Sequence, residues 1–501
     1  MFKKVLIANR AEIAVRIIRA CWDLGIKTAV VYSEADRTGL ATQMADEAVA
    51  LGPGPSLATY LNIEKVIEAA KLVGADAVHP GYGFLSENPD FARAVRKAGL
   101  AFIGPSPEVI QFLGDKVRAR KAAEENRINI VPGSKGALKD AGEARKVAAN
   151  VGYPVLLKAV GGGGGRGMRL VRAPEDLERL FEQARAEANA AFGNPHIYLE
   201  KYIQNPHHIE VQILGDKKRR VVHLFERECS LQRKHQKLLE ESPSPILPPK
   251  LKEALLASAV RMARSLRYEN AGTFEYLYDT DEKRFYFMEV NTRVQVEHPV
   301  TELVTGIDIV KEQIKVASGA PLSFRQKHIR QEGHAMECRI NAEDPARGFA
   351  PTPGTVRSLH LPAGPGIRVD TCLYAGWEVP SLYDSLVAKV IAHGSDRDEA
   401  IARMKRALAE FQMLGVKTVI PFHQVILEHP KFLSGEITTR FIEEELETQV
   451  RRTEEEDFVG AIVAALIENA RRERGGVLTR REPSAGLWSL TGRQDLTRGS
   501  R

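Results

Sequence analysis

The chain has 501 residues, of which 44% are apolar and 27% charged, with a formal charge of +6. That length exceeds what one hydrophobic core supports and predicts about two to four domains, and the composition excludes a disordered chain. The 71 basic and 65 acidic residues are interspersed without a dense basic block, which argues against a nucleic-acid partner and for a small anionic substrate.

In chain order, short β-branched strands over residues 5–8, 28–32, 77–78 and 101–103 alternate with amphipathic stretches over 11–23, 63–73 and 90–98. This rhythm predicts βαβ units and a parallel sheet in a first unit, residues 1–113. Met1-Phe2-Lys3-Lys4 leads straight into the first strand, too short for a secretory signal, and no apolar run reaches the ~18 residues of a membrane helix. The expectation is a cytoplasmic protein with no membrane anchor. A nicotinamide cofactor is rejected, because the first strand-to-helix turn, Ala8-Asn9-Arg10-Ala11-Glu12, has none of the glycines of G-x-G-x-x-G. Cys21, Cys229, Cys338 and Cys372 lie far apart without C-x-x-C spacing, so reduced buried thiols are expected, not a zinc site or a disulfide framework.

A second unit, residues 114–320, carries the densest chemistry. Residues 153–160 read as a buried strand with one lysine, Lys158, and run into Gly161, Gly162, Gly163, Gly164 and Gly165. Consecutive glycines let backbone N–H groups turn toward an anion without Cβ obstruction, and the lysine can neutralise phosphate. A phosphate clamp is predicted in preference to a flexible linker, and it is not a P-loop because no G-K-[ST] closes it.

Further on, strand-like runs over 273–278 and 285–290 are joined by Asp279-Thr280-Asp281-Glu282-Lys283-Arg284. A loop centred near Glu282 puts Glu275 opposite Glu289, with Cβ atoms about 5 Å apart. Like charges so placed repel unless a cation sits between them, and two carboxylates with phosphate oxygens suit Mg²⁺. Glu289, Asn291, Arg293, Gln295 and Glu297 then alternate with other residues, so all five are expected on one face of a continued strand. An active-site strand is preferred to a solvated edge.

A third unit, residues 333–446, mixes strands with turn clusters such as Thr352-Pro353-Gly354 and ends in a helix expected over 398–412. Beyond it, 447–501 reads as an arginine- and glutamate-rich appendage with one apolar helical segment from Phe458 to Ile467. That helix suits packing on its own domain and docking on a partner about equally.

Together these residues resemble the biotin carboxylase family. The likeness rests on 289–298, on the glycine loop, and on His79-Pro80-Gly81-Tyr82-Gly83-Phe84-Leu85-Ser86-Glu87-Asn88. It continues in Arg233-Lys234-His235-Gln236-Lys237 and Glu337-Cys338-Arg339-Ile340-Asn341-Ala342-Glu343-Asp344, and covers about residues 1–446 in motif order. The resemblance implies an α/β (α+β mixed) ATP-grasp fold with an N-terminal parallel α/β domain, a mobile lid over about 131–204 and a C-terminal biotin carboxylase domain. It implies that Lys116, Lys158, Glu200, Lys201, Ile203, His208, Gln232, His235 and Leu277 bind ATP together with the glycine loop, Glu275 and Glu289. Glu275, Glu289 and Asn291 would hold Mg²⁺ or Mn²⁺, and Lys237 would sit beside the transferred phosphoryl group. Arg293, Gln295, the Val296 backbone and Glu297, the general base, would hold bicarbonate; Arg339 and Tyr82 would meet biotin.

On spacing alone, plainer readings stand beside these. Lys116 is a first-turn lysine of a charge-rich helix, His208 a backbone cap, and His235 an exposed member of a basic run. Arg339 is an ion-pair partner beside Cys338, and Tyr82 is a turn residue. The resemblance also implies a homodimer with the Arg16, Arg19 and Asp23 helix face near the contact. No lysine flanked by methionines is present, since Arg403-Met404-Lys405-Arg406 lacks the second one. Biotin is therefore expected on a separate biotin carboxyl carrier protein, with a carboxyltransferase subunit completing an acyl-CoA or pyruvate carboxylase. Other ATP-grasp ligases share the clamp and the metal face; Arg293-x-Gln295-x-Glu297 with Glu337-Cys338-Arg339 sets this chain apart from them. The complete base and metal set argues against a non-catalytic nucleotide sensor.

Overall fold

The computed structural model describes residues 1–160 and 167–446. The predicted clamp, Gly161 to Gly165, and the predicted helix and tail beyond residue 446 lie outside the described residues. The first unit is a five-stranded parallel sheet of β1 (Lys4–Ile7), β2 (Lys27–Ser33), β3 (Glu47–Gly52), β4 (Ala77–His79) and β5 (Ala101–Phe102) in the order β3-β2-β1-β4-β5. The expected strands all form. β3 was not legible because Glu47-Ala48-Val49-Ala50 has little β-branched content and lies half-exposed at the sheet edge.

Helices α1 (Ala11–Asp23), α2 (Leu40–Met44), α3 (Ile63–Leu72), α4 (Pro89–Lys97) and α5 (Pro107–Gly114) connect or flank these strands, followed by α6 (Lys116–Glu125). Several starts have side-chain caps: Asn62 accepts from the Lys65 N–H, and Asp115 from those of Val117 and Arg118. Strand order reverses between β1 and β4, the place where an open α/β sheet presents its binding crevice. Asn9, just after β1, donates from Nδ2 to the carbonyls of Pro80 and Tyr82, both at 2.7 Å, and so ties the two crevice loops together. Gly81 permits this approach: its φ is +62°, and a Cβ there would lie 2.8 Å from Asn9 Nδ2.

The lid region has its own core. α7 (Ala141–Val151) and α8 (Leu177–Phe192) pack on a three-stranded antiparallel sheet of β6 (Val155–Ala159), β7 (Met168–Val171) and β8 (Ile197–Lys201), in the order β7-β6-β8. Val155 and Leu157 face Ala144, Leu177 and Phe181 in this core, whereas Leu156 and Lys158, on the alternate positions, line the cleft.

The main sheet is eight-stranded and antiparallel. It runs from β13 (Arg284–Asn291) through β12 (Asn270–Asp279), β9 (Pro206–Gly215), β10 (Val221–Arg233) and β11 (Gln236–Ser242) to β14 (His334–Asn341), then to strands Leu386–Gly394 and Ile367–Thr371. Strict alternation divides β9: Ile209, Val211 and Ile213 join the apolar core with α9 (Pro249–Ser265), while His208, Glu210 and Gln212 are equally buried but polar. α10 (His298–Thr305) and α11 (Ile309–Ala317) follow β13. The helix expected over 398–412 is α12 (Arg397–Glu410). Gln412 instead opens a short strand, Gln412–Leu414, paired with Ser358–His360, because Phe411 turns extended and is buried. All four cysteines are buried and unpaired, and no helix among the described residues is long and apolar enough to cross a membrane.

Phe181, fully buried in the separate lid core, gives a test of its independence. Phe181→Ala is expected to cost about 3–5 kcal/mol, the usual price of emptying such a site. Amides of β6 to β8 should then exchange hydrogen faster while those of β9 and α9 keep their protection. Equal acceleration in both regions would show that the lid does not open as a unit.

Candidate active-site cleft

A cleft of about 900 Å³ opens between the β1 and β4 loops, the lid sheet, the polar face of the main sheet and β14. At one end Ile203 and Leu277 pack with Val131 and Tyr286 into a small apolar cluster, which suits a planar aromatic base. Lys201 lies beside it, paired with Glu282. Gln232 bonds His208 Nδ1 at 2.9 Å, and His208 Nε2 lies 3.2 Å from Glu275. His208 is thus a buried member of the polar sheet face, not a backbone cap. His235 occupies the exposed β10–β11 turn with φ +64°, at the cleft rim.

From the lid, Lys158 reaches Glu200 at 2.5 Å, and Arg120 on α6 bonds the same carboxylate. Lys116 opens α6 and lines the cleft, where its charge acts on Glu289.

Glu275 and Glu289 are direct partners across the hairpin, as expected. The route differs from a simple centred loop: Tyr276 pairs with Phe287, and a bulge at Met288 then brings Glu289 opposite Glu275. Burial, then the Glu275 charge, push the Glu289 carboxyl above its ordinary range. The two carboxylates are hard oxygen donors and fit Mg²⁺. Ligand atoms of His208, Glu210 and Glu275 also lie within 4.8 Å of one another, but Lys237 already fills the space between the two glutamates. Asn291 donates to Glu275 at 2.8 Å, and its Oδ1 accepts from Arg293 at 2.9 Å.

The continued strand is a correction. β13 ends at Asn291, and Arg293, Gln295 and Glu297 lie on an irregular segment leading into α10. The cause is Glu87, which takes the Thr292 N–H at 3.0 Å and the Arg293 guanidinium at 2.8 Å, so the ladder cannot continue. The polar groups still converge. Arg293 donates to Gln295 at 2.7 Å, and Gln295 donates to Glu275 at 3.0 Å.

Lys237 unites the polar end. Its ammonium reaches Glu210 at 2.6 Å, Glu275 at 3.0 Å and Glu297 at 2.6 Å. Burial would lower its pKa, but the carboxylates outweigh burial and raise it well above normal. Burial likewise works against an ionised Glu297, yet Lys237, Arg339 and Arg227 hold it well below the usual carboxylate range. Arg339 bonds Glu297 at 3.0 Å and Glu240 at 2.6 Å, and burial pushes the Glu240 carboxyl up to about 7. Tyr82 lines the N-terminal wall, bonded to Glu12, and Val296 also lines the cleft.

Glu210, Arg227 and Glu240 belong to this constellation but were missed. The alternation His208-x-Glu210-x-Gln212 was a readable signal for Glu210. Arg227 carried none, because its partners Glu210, Gln212, Thr273 and Thr301 come from three other elements.

Residues 1–110 match the family model of the biotin carboxylase N-terminal domain, 115–325 that of the carbamoyl-phosphate synthase L chain ATP-binding domain, and 337–444 that of the biotin carboxylase C-terminal domain. The chain is 53% identical over 443 residues to biotin carboxylase 1 of Bacillus subtilis, covering 88% of this chain and 98% of that one. It is 50% identical over 461 residues to a pyruvate carboxylase subunit of Methanothermobacter thermautotrophicus, covering 91% and 93%. Among solved structures, the biotin carboxylase domain dimer of Hydrogenobacter thermophilus 2-oxoglutarate carboxylase, in complex with MgADP, ADP and bicarbonate, is similar with a TM-score of 0.84 and 50% identity. That match covers 89% of this chain and 98% of the other.

Lys237→Met would leave the three carboxylates buried without their cation. In the parent, the depressed folded pKa values of Glu275 and Glu297 add stability above the unfolded pKa that is lost as pH falls through the folded one. In the variant those values rise, so the penalty is full at high pH and is relieved by protonation. The expected loss in urea unfolding is about 3–5 kcal/mol near pH 8 and smaller near pH 5.5. A pH-independent loss would show that Lys237 does not hold the carboxylates ionised.

Proposed function

The chain belongs to the biotin carboxylase family, and from that premise we propose how its cleft performs ATP-dependent carboxylation of biotin with bicarbonate. The enzyme is a biotin carboxylase subunit of an acetyl-CoA or pyruvate carboxylase and uses ATP with Mg²⁺. The observation that carries the mechanism is the single Lys237 ammonium bonded to both Glu275, on the metal side, and Glu297, on the bicarbonate side.

ATP lies with its adenine at the Ile203–Leu277 end, beside Lys201, and with its phosphates toward Lys116 and Lys158. Glu275 and Glu289 would hold Mg²⁺, which would neutralise phosphate charge. Arg293, Gln295 and the Val296 backbone hold bicarbonate. Glu297, kept ionised at neutral pH, accepts the bicarbonate proton as the bicarbonate oxygen bonds to the γ-phosphorus and the bond to the ADP oxygen breaks. Lys237 stabilises the charge that develops on the phosphoryl oxygens. The resulting carboxyphosphate breaks into CO₂ and phosphate, and the phosphate takes the proton from the biotin ureido nitrogen. Arg339 stabilises the enolate-like ureido oxygen while the nitrogen bonds to CO₂.

Biotin comes from a separate carrier protein, and a carboxyltransferase subunit uses the product. The division is 1–113, 114–320 with a lid over about 131–204, and 333–446, the last two units sharing the eight-stranded main sheet. A homodimer uses the outer face of α1, where Arg19, Trp22 and Asp23 are exposed; Arg16 supports that face from inside through Glu302 and Asp308, the cap of α11.

The test is bicarbonate-dependent ADP release with and without free biotin. Arg339→Ala should retain MgATP affinity and lose biotin carboxylation by about 100-fold or more. An equal loss of ATP affinity would assign Arg339 a structural role. Separately, Glu289→Gln should raise the Mg²⁺ concentration needed for half-maximal rate by about ten-fold, and an unchanged requirement would remove Glu289 from the metal site.

A further inference from the structure

The ammonium of Lys389 is fully buried beneath the cleft, and the reaction as derived leaves it unused. It lies on strand Leu386–Gly394, directly opposite Arg339 of β14. Nζ donates to the Val296 carbonyl at 3.0 Å and lies 3.2 Å from Glu12 of α1, whose other carboxylate oxygen accepts from the Tyr82 hydroxyl. Asp370 stands 4.0 Å away on the next strand, already bonded to Arg368 at 2.6 Å. Three segments that are remote in sequence therefore meet at one cation.

The Val296 carbonyl is the point that needs such a tie. Segment 292–297 has left the sheet, so no strand ladder fixes its peptides. The neighbouring Gln295 carbonyl is held by His298, at 2.8 Å from Nδ1. The plane of the Val296–Glu297 peptide sets the root of the Glu297 side chain, whose carboxylate must meet both Lys237 and Arg339. A lysine buried to this degree persists only when paired. Burial would lower its pKa, but Glu12, Glu337 and Asp370 raise it, so the ammonium stays charged.

We propose that Lys389 is a positioning residue for the carboxylation reaction: it fixes the Val296–Glu297 peptide on the bicarbonate side and, through Glu12, the Tyr82 hydroxyl on the biotin side. This rests on the reading of Val296, Glu297 and Tyr82 given above. A misplacement of about 1 Å at such a point costs up to about 100-fold in rate.

The double substitution Lys389→Met with Glu12→Gln removes both charges together and leaves no unpaired partner in that pair. The expected result is an unchanged MgATP dissociation constant, a bicarbonate KM raised about ten-fold and a lowered kcat for bicarbonate-dependent ADP release. A merely structural loss would lower the amount of active enzyme without separating bicarbonate KM from ATP affinity. Glu12→Gln alone keeps the Lys389 bond to Val296 and should raise the biotin KM several-fold with bicarbonate KM unchanged. Bicarbonate KM and kcat within two-fold of the parent in the double variant would overturn the proposal. If the double variant does not fold, an unchanged biotin KM in Glu12→Gln overturns it instead. The parent enzyme separates this from the underlying reading: absence of bicarbonate-dependent ADP release in the parent would sink the site assignment itself, whereas an active parent with indifferent variants sinks only the role of Lys389.

Discussion

The site is organised by one ammonium ion held among three carboxylates. Lys237 meets Glu210, Glu275 and Glu297, each from a different segment of the chain, inside a region with almost no solvent. Desolvating so many acids is tolerable only if a cation neutralises them, and placing that cation fixes where the acids must be. The buried face of the main sheet follows from this requirement. Arg227 compensates Glu210, Arg339 compensates Glu240 and Glu297, and the larger apolar core lies on the opposite face with α9.

The same constraint explains how reacting groups with opposite needs coexist. A metal site wants negative charge and a phosphoryl-transfer site wants positive charge, and here they adjoin. Burial, then the Glu275 charge, push Glu289 toward its neutral form, whereas cations hold Glu297 ionised against burial. Two carboxylates on neighbouring segments are thus shifted in opposite directions, which suits one to a metal and the other to a base.

Much of this was legible in the sequence because it rests on local periodicity. The βαβ rhythm gave the first sheet, and the hairpin glutamates face each other as their spacing required. Their pairing nevertheless depends on the bulge at Met288, which no spacing argument foresaw. The alternation from Glu289 to Glu297 was read as one strand, and it failed where a distant residue, Glu87, captured the backbone at Thr292. What stayed invisible shares that character. Arg227, Glu240 and Lys389 acquire meaning only from partners tens to hundreds of residues away, and a buried charge leaves no local pattern to mark it.

The main sheet joins strands from 206–291 to strands from 334–394 along the single β11–β14 seam. During synthesis, β11 therefore emerges well before the strand that covers it, and for that interval it is an open edge able to recruit a wrong neighbour. Its sequence guards it. Glu240 and Glu241 stand side by side on this edge, and each would face a like charge if β11 paired in register with another copy of itself. Once β14 arrives, Arg339 and His334 meet those two acids at 2.6 and 2.7 Å. Arg339, which completes the site, thereby also helps mark the correct partner for an edge the ribosome leaves exposed.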